Sequence, residues 1–118
     1  MEIKKHRDLT LIDINKEQFI VISCDSLGGI GNKKHDVVKA LPEVSGYFTT
    51  QVALMELLAF GAKPITIVNT LSVEMEDTGL RIIEGIKKAL EPLNFDVSNL
   101  VTGSTEENIP VTTTGMGM

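Results

Sequence analysis

The chain has 118 residues, of which 42% are hydrophobic and 23% charged, and this composition is ordinary for one globular domain with its own core. The net charge of -5 excludes the clustered lysines and arginines of a nucleic-acid surface, and the apolar runs are too short to span a membrane. A single cysteine excludes an internal disulfide, and the N-terminal residues lack a signal-peptide pattern, so we expect a cytoplasmic protein with neither nucleic acid nor a membrane as partner.

The first third of the chain predicts two strands and a loop. Residues 9–14 alternate weakly between apolar and polar side chains, which is typical of a short strand. Residues 18–24 (QFIVISC) form a continuous β-branched and aromatic run, which predicts a strand covered on both faces. The glycines within residues 25–34 predict a loop after this strand.

A helix is predicted from about Gly46 to Phe60, because Gly61 stops it and Pro64 prevents its resumption. This helix is apolar almost all round, and the side chains three and four positions from Glu56 are all apolar. Burying an ionised carboxylate without a partner is costly, so Glu56 either has a cation, a metal or a proton nearby, or it reaches solvent at the rim of the helix. The sequence leaves both alternatives open.

The second half of the chain predicts one more helix and three strands. Asp77 or Thr78 caps the helix, and its apolar stripe continues to about Leu90. Alternation or β-branched content predicts the strands, which cover residues 65–75, 97–102 and 109–114. We therefore expect an α+β fold, an α/β sandwich in a single domain over residues 1–118. Its four- to five-stranded mixed sheet carries two helices on one face.

The second face of the predicted sheet carries small, β-prone side chains. They suit packing against another sheet better than contact with bulk water, and an ordinary solvated face is the alternative. We therefore expect a homodimer formed through the sheets. These side chains are Thr66, Thr70, Ser72, Thr112 and Thr114.

Asp25 lies where a strand ends and the glycine-rich loop begins. A carboxylate there can hold Mg²⁺, glycine amides can approach an anion closely, and a lysine can neutralise phosphate charge. The spacing fits neither a P-loop nor a dinucleotide fingerprint, and a plain flexible hairpin explains it as well. The candidate cofactor-binding residues of this loop are Gly28, Gly29, Gly31 and Lys33.

A second polar cluster spans residues 102–108 and includes Ser104 and Thr105. Its hydroxyls, amide and carboxylates suit a metal or a phosphate, and equally a turn held by local side-chain hydrogen bonds. Asp8 adds an acid just ahead of a strand. Several acids with few basic residues suit a Mg²⁺-nucleotide site better than direct phosphate capture.

Four motifs together resemble the aminoimidazole ribonucleotide (AIR) synthase superfamily, which includes thiamine-monophosphate kinase, selenophosphate synthetase and a hydrogenase maturation protein. Gly46, Glu56, Gly61, Ala62 and Pro64 match its helix pattern G-x₉-D-x-x-A-x-G-A-x-P. The other three are similar to D-G-V-G-T-K, D-D-A-A-V and G-G-[DE]-T, and they occupy residues 25–33, 7–12 and 102–105 in the order of the family.

The resemblance implies an ATP-dependent enzyme whose N-terminal domains join their sheets into a dimer barrel, with ATP and several Mg²⁺ ions along the interface groove. It implies that Asp8, Asp25 and Glu56 are Mg²⁺ ligands, that residues 28–33 face the phosphates, and that residues 102–108 complete the metal site. Within the superfamily, the S-T-E-E-N string is most similar to the α-ribazole kinase branch of cobalamin salvage. The acceptor would then be a small molecule.

The chain departs from the family pattern at three points. Glu56 replaces an aspartate, Ser104 stands where the family has an acid, and the sequence does not include the family's C-terminal domain. We therefore expect this chain alone not to turn over substrate, and its catalytic residues stay unassigned. A non-catalytic dimerisation module, or a nucleotide sensor, is the alternative function.

Overall fold

Two α-helices lie on one face of a four-stranded mixed sheet in the computed structural model, which describes residues 1–94, 96 and 100–118. The helices are α1 (Pro42–Ala59) and α2 (Leu80–Leu90). The strands are β1 (Ile3–His6), β2 (Leu9–Asp13), β3 (Phe19–Ile22), β4 (Ser26–Gly28), β5 (Ile30–Gly31), β6 (Val38–Lys39), β7 (Ile67–Leu71), β8 (Val101–Thr105) and β9 (Gly115–Gly117).

The four-stranded sheet has the order β4-β9-β7-β8, with β7 and β8 parallel and the other pairs antiparallel. Its buried face presents Leu71 and Met116 to the helices. The helix side chains that complete this core are Leu54 on α1 and Ile82, Ile86 and Leu90 on α2. The predicted α+β class, with a mixed sheet and two helices on one face, is confirmed.

The two helices approach each other closely because each contributes a glycine to the contact. A Cβ atom on Gly46 would lie 2.1 Å from the Ile82 carbonyl oxygen, and one on Gly85 would lie 2.0 Å from the Glu43 carbonyl oxygen. Any larger side chain would force the helices apart. Glu43 also accepts two hydrogen bonds from the Arg81 guanidinium, at 2.8 and 3.0 Å, so an ion pair fixes the rim of the contact.

Both helices begin differently from the prediction. Helix α1 starts at Pro42 rather than Gly46, because proline is well suited to the first turn, where its missing N–H is not needed. Neither Asp77 nor Thr78 caps α2, which instead continues from a wide turn over Met75–Gly79. Their side chains have other partners: the Thr78 hydroxyl donates to Glu74, and the Asp77 carboxylate lies 3.3 Å from Arg81.

Strands β1, β2 and β3 form a separate antiparallel sheet, and the prediction that β3 is covered on both faces is wrong. Phe19, Ile20 and Ile22 are 50%, 40% and 45% exposed, because β3 is an edge strand whose one partner among the described residues is β2. A continuous apolar run predicts that a strand is buried against other residues, but it does not indicate whether those residues belong to the same chain.

The predicted strand over residues 109–114 is also wrong. The carbonyl oxygens of Thr112 and Thr114 accept hydrogen bonds from the His35 and Gly29 amides, so this segment binds the glycine-rich loop instead of a sheet. The final strand, β9, begins only at Gly115. Of the strand predicted over residues 97–102, residues 97–99 lie outside the described part of the chain.

Helix α1 is apolar on its outer side as well. Phe48 and Met55 are 57% and 60% exposed there, which agrees with a sequence that is apolar almost all round. Within the described ranges, no helix combines the length and apolar character that crossing a membrane requires.

Candidate functional site

A cleft of about 360 Å³ lies between the tip of the β1–β2 hairpin and the C-terminal turns of α1. Two of the predicted metal ligands, Asp8 and Glu56, line it from opposite elements. The remaining lining residues are His6, Arg7, Leu9, Ala59 and Phe60. The structure therefore brings together two acids that are separated by most of the first half of the sequence.

The hairpin is held against α1 by aromatic contacts. The His6 ring lies 5.5 Å from the Phe60 ring, and the Phe19 ring lies 6.0 Å from it in an edge-to-face arrangement. Because His6 pairs with Leu9, the hairpin turn consists of Arg7 and Asp8 alone. Asp8 is consequently fixed at the hairpin tip beside the end of the helix, where the short turn leaves it exposed.

Glu56 is half-buried, and its carboxylate has a hydrogen-bond partner. The Ser23 hydroxyl lies 3.0 Å from Oε2 of Glu56 and 2.9 Å from the Ala53 carbonyl oxygen, which ties α1 to the segment between β3 and β4. Of the two alternatives left open by the sequence, the structure supports the second, in which Glu56 reaches solvent at the rim of the helix, and a metal beside it stays a prediction. Glu56 does reach the open cleft, and a hydroxyl orients it.

Asp25 follows Ser23 by two residues, so its backbone lies within about 7 Å of the serine that contacts Glu56. Two backbone hydrogen bonds with Met118, of 3.1 and 3.0 Å, fix its position beside β4. It is not among the described residues that line the cleft. Asp25 therefore approaches the Glu56 side of the site without sharing the pocket.

The acids of the cleft suit a Mg²⁺ ion that takes only one or two ligands from the protein. Among the described residues, no group of three or more histidine, cysteine, aspartate or glutamate side chains converges on one point. Mg²⁺ commonly takes one or two protein carboxylates and completes its six ligands with water and phosphate oxygens. Asp8 and Glu56, facing one cleft, fit that pattern, and the assignment of Asp8, Asp25 and Glu56 as ligands stays a prediction.

Lys33, predicted to face phosphate, already has a carboxylate partner. Its ammonium lies 2.7 Å from Oε2 of Glu74, and the lysine side chain is only 15% exposed. Burial, the largest single effect, raises the pKa of Glu74, but the Lys33 ammonium and the Thr78 hydroxyl outweigh it and lower that pKa to about 2. The ion pair connects the glycine-rich loop to the turn before α2.

Asp36 organises the glycine-rich loop, and the sequence reasoning missed it. This buried carboxylate accepts hydrogen bonds from the Thr114 amide (2.7 Å), the Thr114 hydroxyl (2.7 Å) and the Lys33 amide (2.9 Å). Burial is the largest single influence and raises the pKa of Asp36, but these donors together hold it below its usual value. No local motif marks Asp36, because its main partner is 78 residues away.

The three glycines of this loop differ in what a side chain at their position would meet. A Cβ atom on Gly31 would lie 2.1 Å from the Thr114 hydroxyl and 2.7 Å from the Asp36 carboxylate, so this glycine makes room for the buried carboxylate. Gly29 has φ +73° and needs the left-handed backbone that glycine tolerates. Gly28 has an open environment, because a Cβ atom there would have no atom of the described residues within 4 Å beyond its own chain neighbours.

Ser104 and Thr105 lie in strand β8 rather than in a loop, paired with Thr70 and Leu71. Strands β8 and β4 are opposite edges of the sheet, so within one chain three strand spacings, roughly 14 Å, separate Ser104 from the strand after Asp25. The acids that follow already have partners: Glu106 accepts from the Asn108 amide at 2.7 Å, and Glu107 accepts from the Met75 amide at 2.7 Å. The structure thus does not bring this cluster to the cleft.

The geometry agrees with a family comparison. The family model described as AIR synthase related protein, N-terminal domain, matches residues 6–118, a range that includes the hairpin turn, the cleft and β8. The comparison with curated proteins gave no match, and the comparison with solved structures gave none either.

Proposed function

The chain belongs to the AIR synthase related family, and we propose that it binds ATP together with Mg²⁺. The observation that carries this proposal is the pairing of Asp8 and Glu56 across one open cleft of about 360 Å³. The size is adequate for part of a nucleotide, and the two carboxylates are suitable ligands for a Mg²⁺ ion that also binds phosphate oxygens.

The reaction we propose is phosphoryl transfer from ATP to a small-molecule acceptor. Catalysis of this kind depends on positioning and on neutralising charge, because there is little covalent chemistry for the protein to perform. Mg²⁺ ions would supply charge neutralisation: Asp8 and Glu56 would hold one in the cleft, Asp25 would be a ligand outside the cleft, and Ser23 would orient Glu56. The similarity of the string over residues 104–108 to the α-ribazole kinase branch supports α-ribazole as the acceptor.

We also propose that the protein is a homodimer formed through its sheets. Thr66, Val68, Thr70 and Ser72 are exposed on the face of the four-stranded sheet that the helices do not cover. Strand β3 presents further uncovered apolar side chains. Sheets of a second copy packed on these two surfaces would bury both of them.

Calorimetric titration of Mg-ATP into the chain tests the nucleotide proposal. We expect saturable binding that EDTA abolishes, and weaker binding by Glu56→Gln, which keeps the shape of the side chain and removes its charge. Glu84→Gln, on the exposed side of α2, is the matched control. A folded chain that binds no Mg-ATP, or a Glu56→Gln variant that binds like the parent, contradicts the assignment.

The non-catalytic alternatives predict different results. A dimerisation module binds no Mg-ATP, whereas a nucleotide sensor binds it but transfers no phosphate. Incubation of Mg-ATP and α-ribazole with a form of the protein that carries the family's C-terminal domain distinguishes the sensor from the kinase. The measurement is the appearance of phosphorylated α-ribazole, detected by mass spectrometry.

A further inference from the structure

We propose that the Arg7 guanidinium, rather than the Lys33 ammonium, binds the nucleotide phosphates in the cleft between the hairpin and α1. This inference rests on the proposed binding of Mg-ATP and names the phosphate-recognising residue of that site. The sequence favours Lys33 for this task because it follows a glycine-rich loop. The contacts of the two cations favour Arg7.

Both the side chain and the backbone amide of Lys33 already have carboxylate partners. Its ammonium is paired with Glu74 at 2.7 Å, and its backbone amide donates to the Asp36 carboxylate at 2.9 Å. To bind phosphate, Lys33 would have to leave Glu74, whose carboxylate would then remain half-buried without its cation. Lys33 therefore acts as a structural residue that joins the loop to the turn before α2.

The Arg7 side chain, in contrast to that of Lys33, is exposed and forms no ion pair with the described residues. It lines the cleft together with Asp8 and Glu56. The two acids of the cleft are consequently not neutralised by the nearby arginine. They stay available for a metal, and the guanidinium stays available for an anion.

The backbone of Arg7 indicates that the side chain is present for its chemistry. Its φ is +53°, a left-handed conformation that glycine or asparagine adopts more easily. A long cationic side chain does nothing to favour this turn, so backbone preference does not explain an arginine here. The turn instead places the guanidinium beside the cleft at the position next to Asp8.

The chemistry of the two groups complements a metal-bound phosphate. A guanidinium presents paired N–H donors in a planar fork that matches two phosphate oxygens, while carboxylates cannot bind phosphate directly. Mg²⁺ on Asp8 and Glu56 together with Arg7 would therefore contact the same phosphate group from two sides. The ligand class is a nucleoside polyphosphate carrying a divalent cation.

Titration of Mg-ATP, Mg²⁺ alone and adenosine into four variants tests this proposal. They are Arg7→Gln, Arg7→Lys, Lys33→Gln and the control Lys5→Gln. The control removes a charge from the face of β1 opposite to that of His6, which lines the cleft. We expect Arg7→Gln to weaken Mg-ATP binding by about tenfold or more, Arg7→Lys to weaken it less, and Lys5→Gln to leave it unchanged. Binding of Mg²⁺ alone should not weaken in Arg7→Gln, because removing a positive charge beside Asp8 does not disfavour a cation.

The outcomes separate this inference from the proposed function. If the parent binds Mg-ATP and Arg7→Gln binds equally well, or if Lys33→Gln loses more affinity than Arg7→Gln, Arg7 is not the phosphate ligand and the proposed function survives. If the folded parent binds no Mg-ATP, both proposals fail. Because Arg7 is exposed, its variants decide the question even if Lys33→Gln does not fold.

Discussion

Replacing the buried carboxylate of Asp36 by an amide should destabilise the protein strongly. In Asp36→Asn, one acceptor oxygen becomes an NH₂ group that itself donates. If the NH₂ replaces Oδ1, the Thr114 amide loses its acceptor; if it replaces Oδ2, the Lys33 amide does. The Thr114 hydroxyl can rotate to accept, but a backbone N–H cannot. Either orientation therefore leaves one backbone donor without a partner.

The expected loss follows from these contacts. An unsatisfied donor costs about 1–3 kcal/mol, and hydrogen bonds that remain lose the extra strength given by the negative charge, so we expect a loss of about 3 kcal/mol in the free energy of unfolding at pH 7. With a urea dependence of about 1.5 kcal/mol per molar, this shifts the unfolding midpoint by about 2 M. Asp77→Asn is the control, because the Asp77 side chain is 69% exposed.

Acid titration gives the same prediction a second test. The folded-state pKa of Asp36 lies below its ordinary value of 3.8, so its contribution to stability is complete above that pH and is lost as the pH falls through the folded value. The difference between Asp36→Asn and the parent should therefore shrink below about pH 4. A difference within about 0.5 kcal/mol at pH 7, or one that does not change with acid, refutes the hydrogen-bond explanation.

Three further predictions concern other parts of the fold. Gly85→Ala should lower the free energy of unfolding by about 3 kcal/mol, because its Cβ would overlap the Glu43 carbonyl oxygen. Gly28→Ala is the control, since open space surrounds Gly28 and the stability of this variant should change little. Thermal unfolding compares the two variants, and equal unfolding midpoints would contradict the close helix contact. Arg7→Gly should raise stability by about 1 kcal/mol in urea, because glycine relieves the positive φ; a decrease would mean that the arginine side chain supports the hairpin. Glu74→Gln should cost about 1 kcal/mol at pH 7, a value kept small because the Glu74 side chain is 40% exposed. The loss should fade between pH 4.5 and the folded pKa of about 2, so a loss that is as large at pH 2 as at pH 7 would exclude the ion pair as its cause.

Patterns with a local period predicted much of the fold. The 3.6-residue stripe of α2 ends where predicted, at Leu90, and the alternation of residues 65–75 locates β7. Glycine and proline locate the end of α1, since the helix ends at Ala59, Phe60 is its C-terminal cap and Gly61 has φ +89°. Each of these signals depends only on neighbours in the sequence.

The unpredicted features depend on distant partners. Nothing near Asp36 in the sequence announces Thr114, and the threonines at 112–114 have the composition of a strand while their carbonyls serve a loop. The site likewise contains one residue that its sequence neighbours mark and one that only distant contacts reveal. The apolar neighbours of Glu56 mark it in the sequence, whereas the role proposed for Arg7 depends on the hairpin tip lying beside the end of α1.

The position of β9 has a consequence for synthesis on the ribosome. Strand β9 lies between β4 and β7, and Leu27 pairs with Met116 across the sheet. A growing chain therefore makes β4, α1, β7 and α2 before the strand that joins β4 to β7 exists. Until residues 115–117 emerge, the helices have only a divided sheet to pack on, and unpaired strand edges are open to other chains. Pairing between such distant residues is slow, so chaperones that recognise unpaired strands would bind this domain before residues 115–117 complete the sheet.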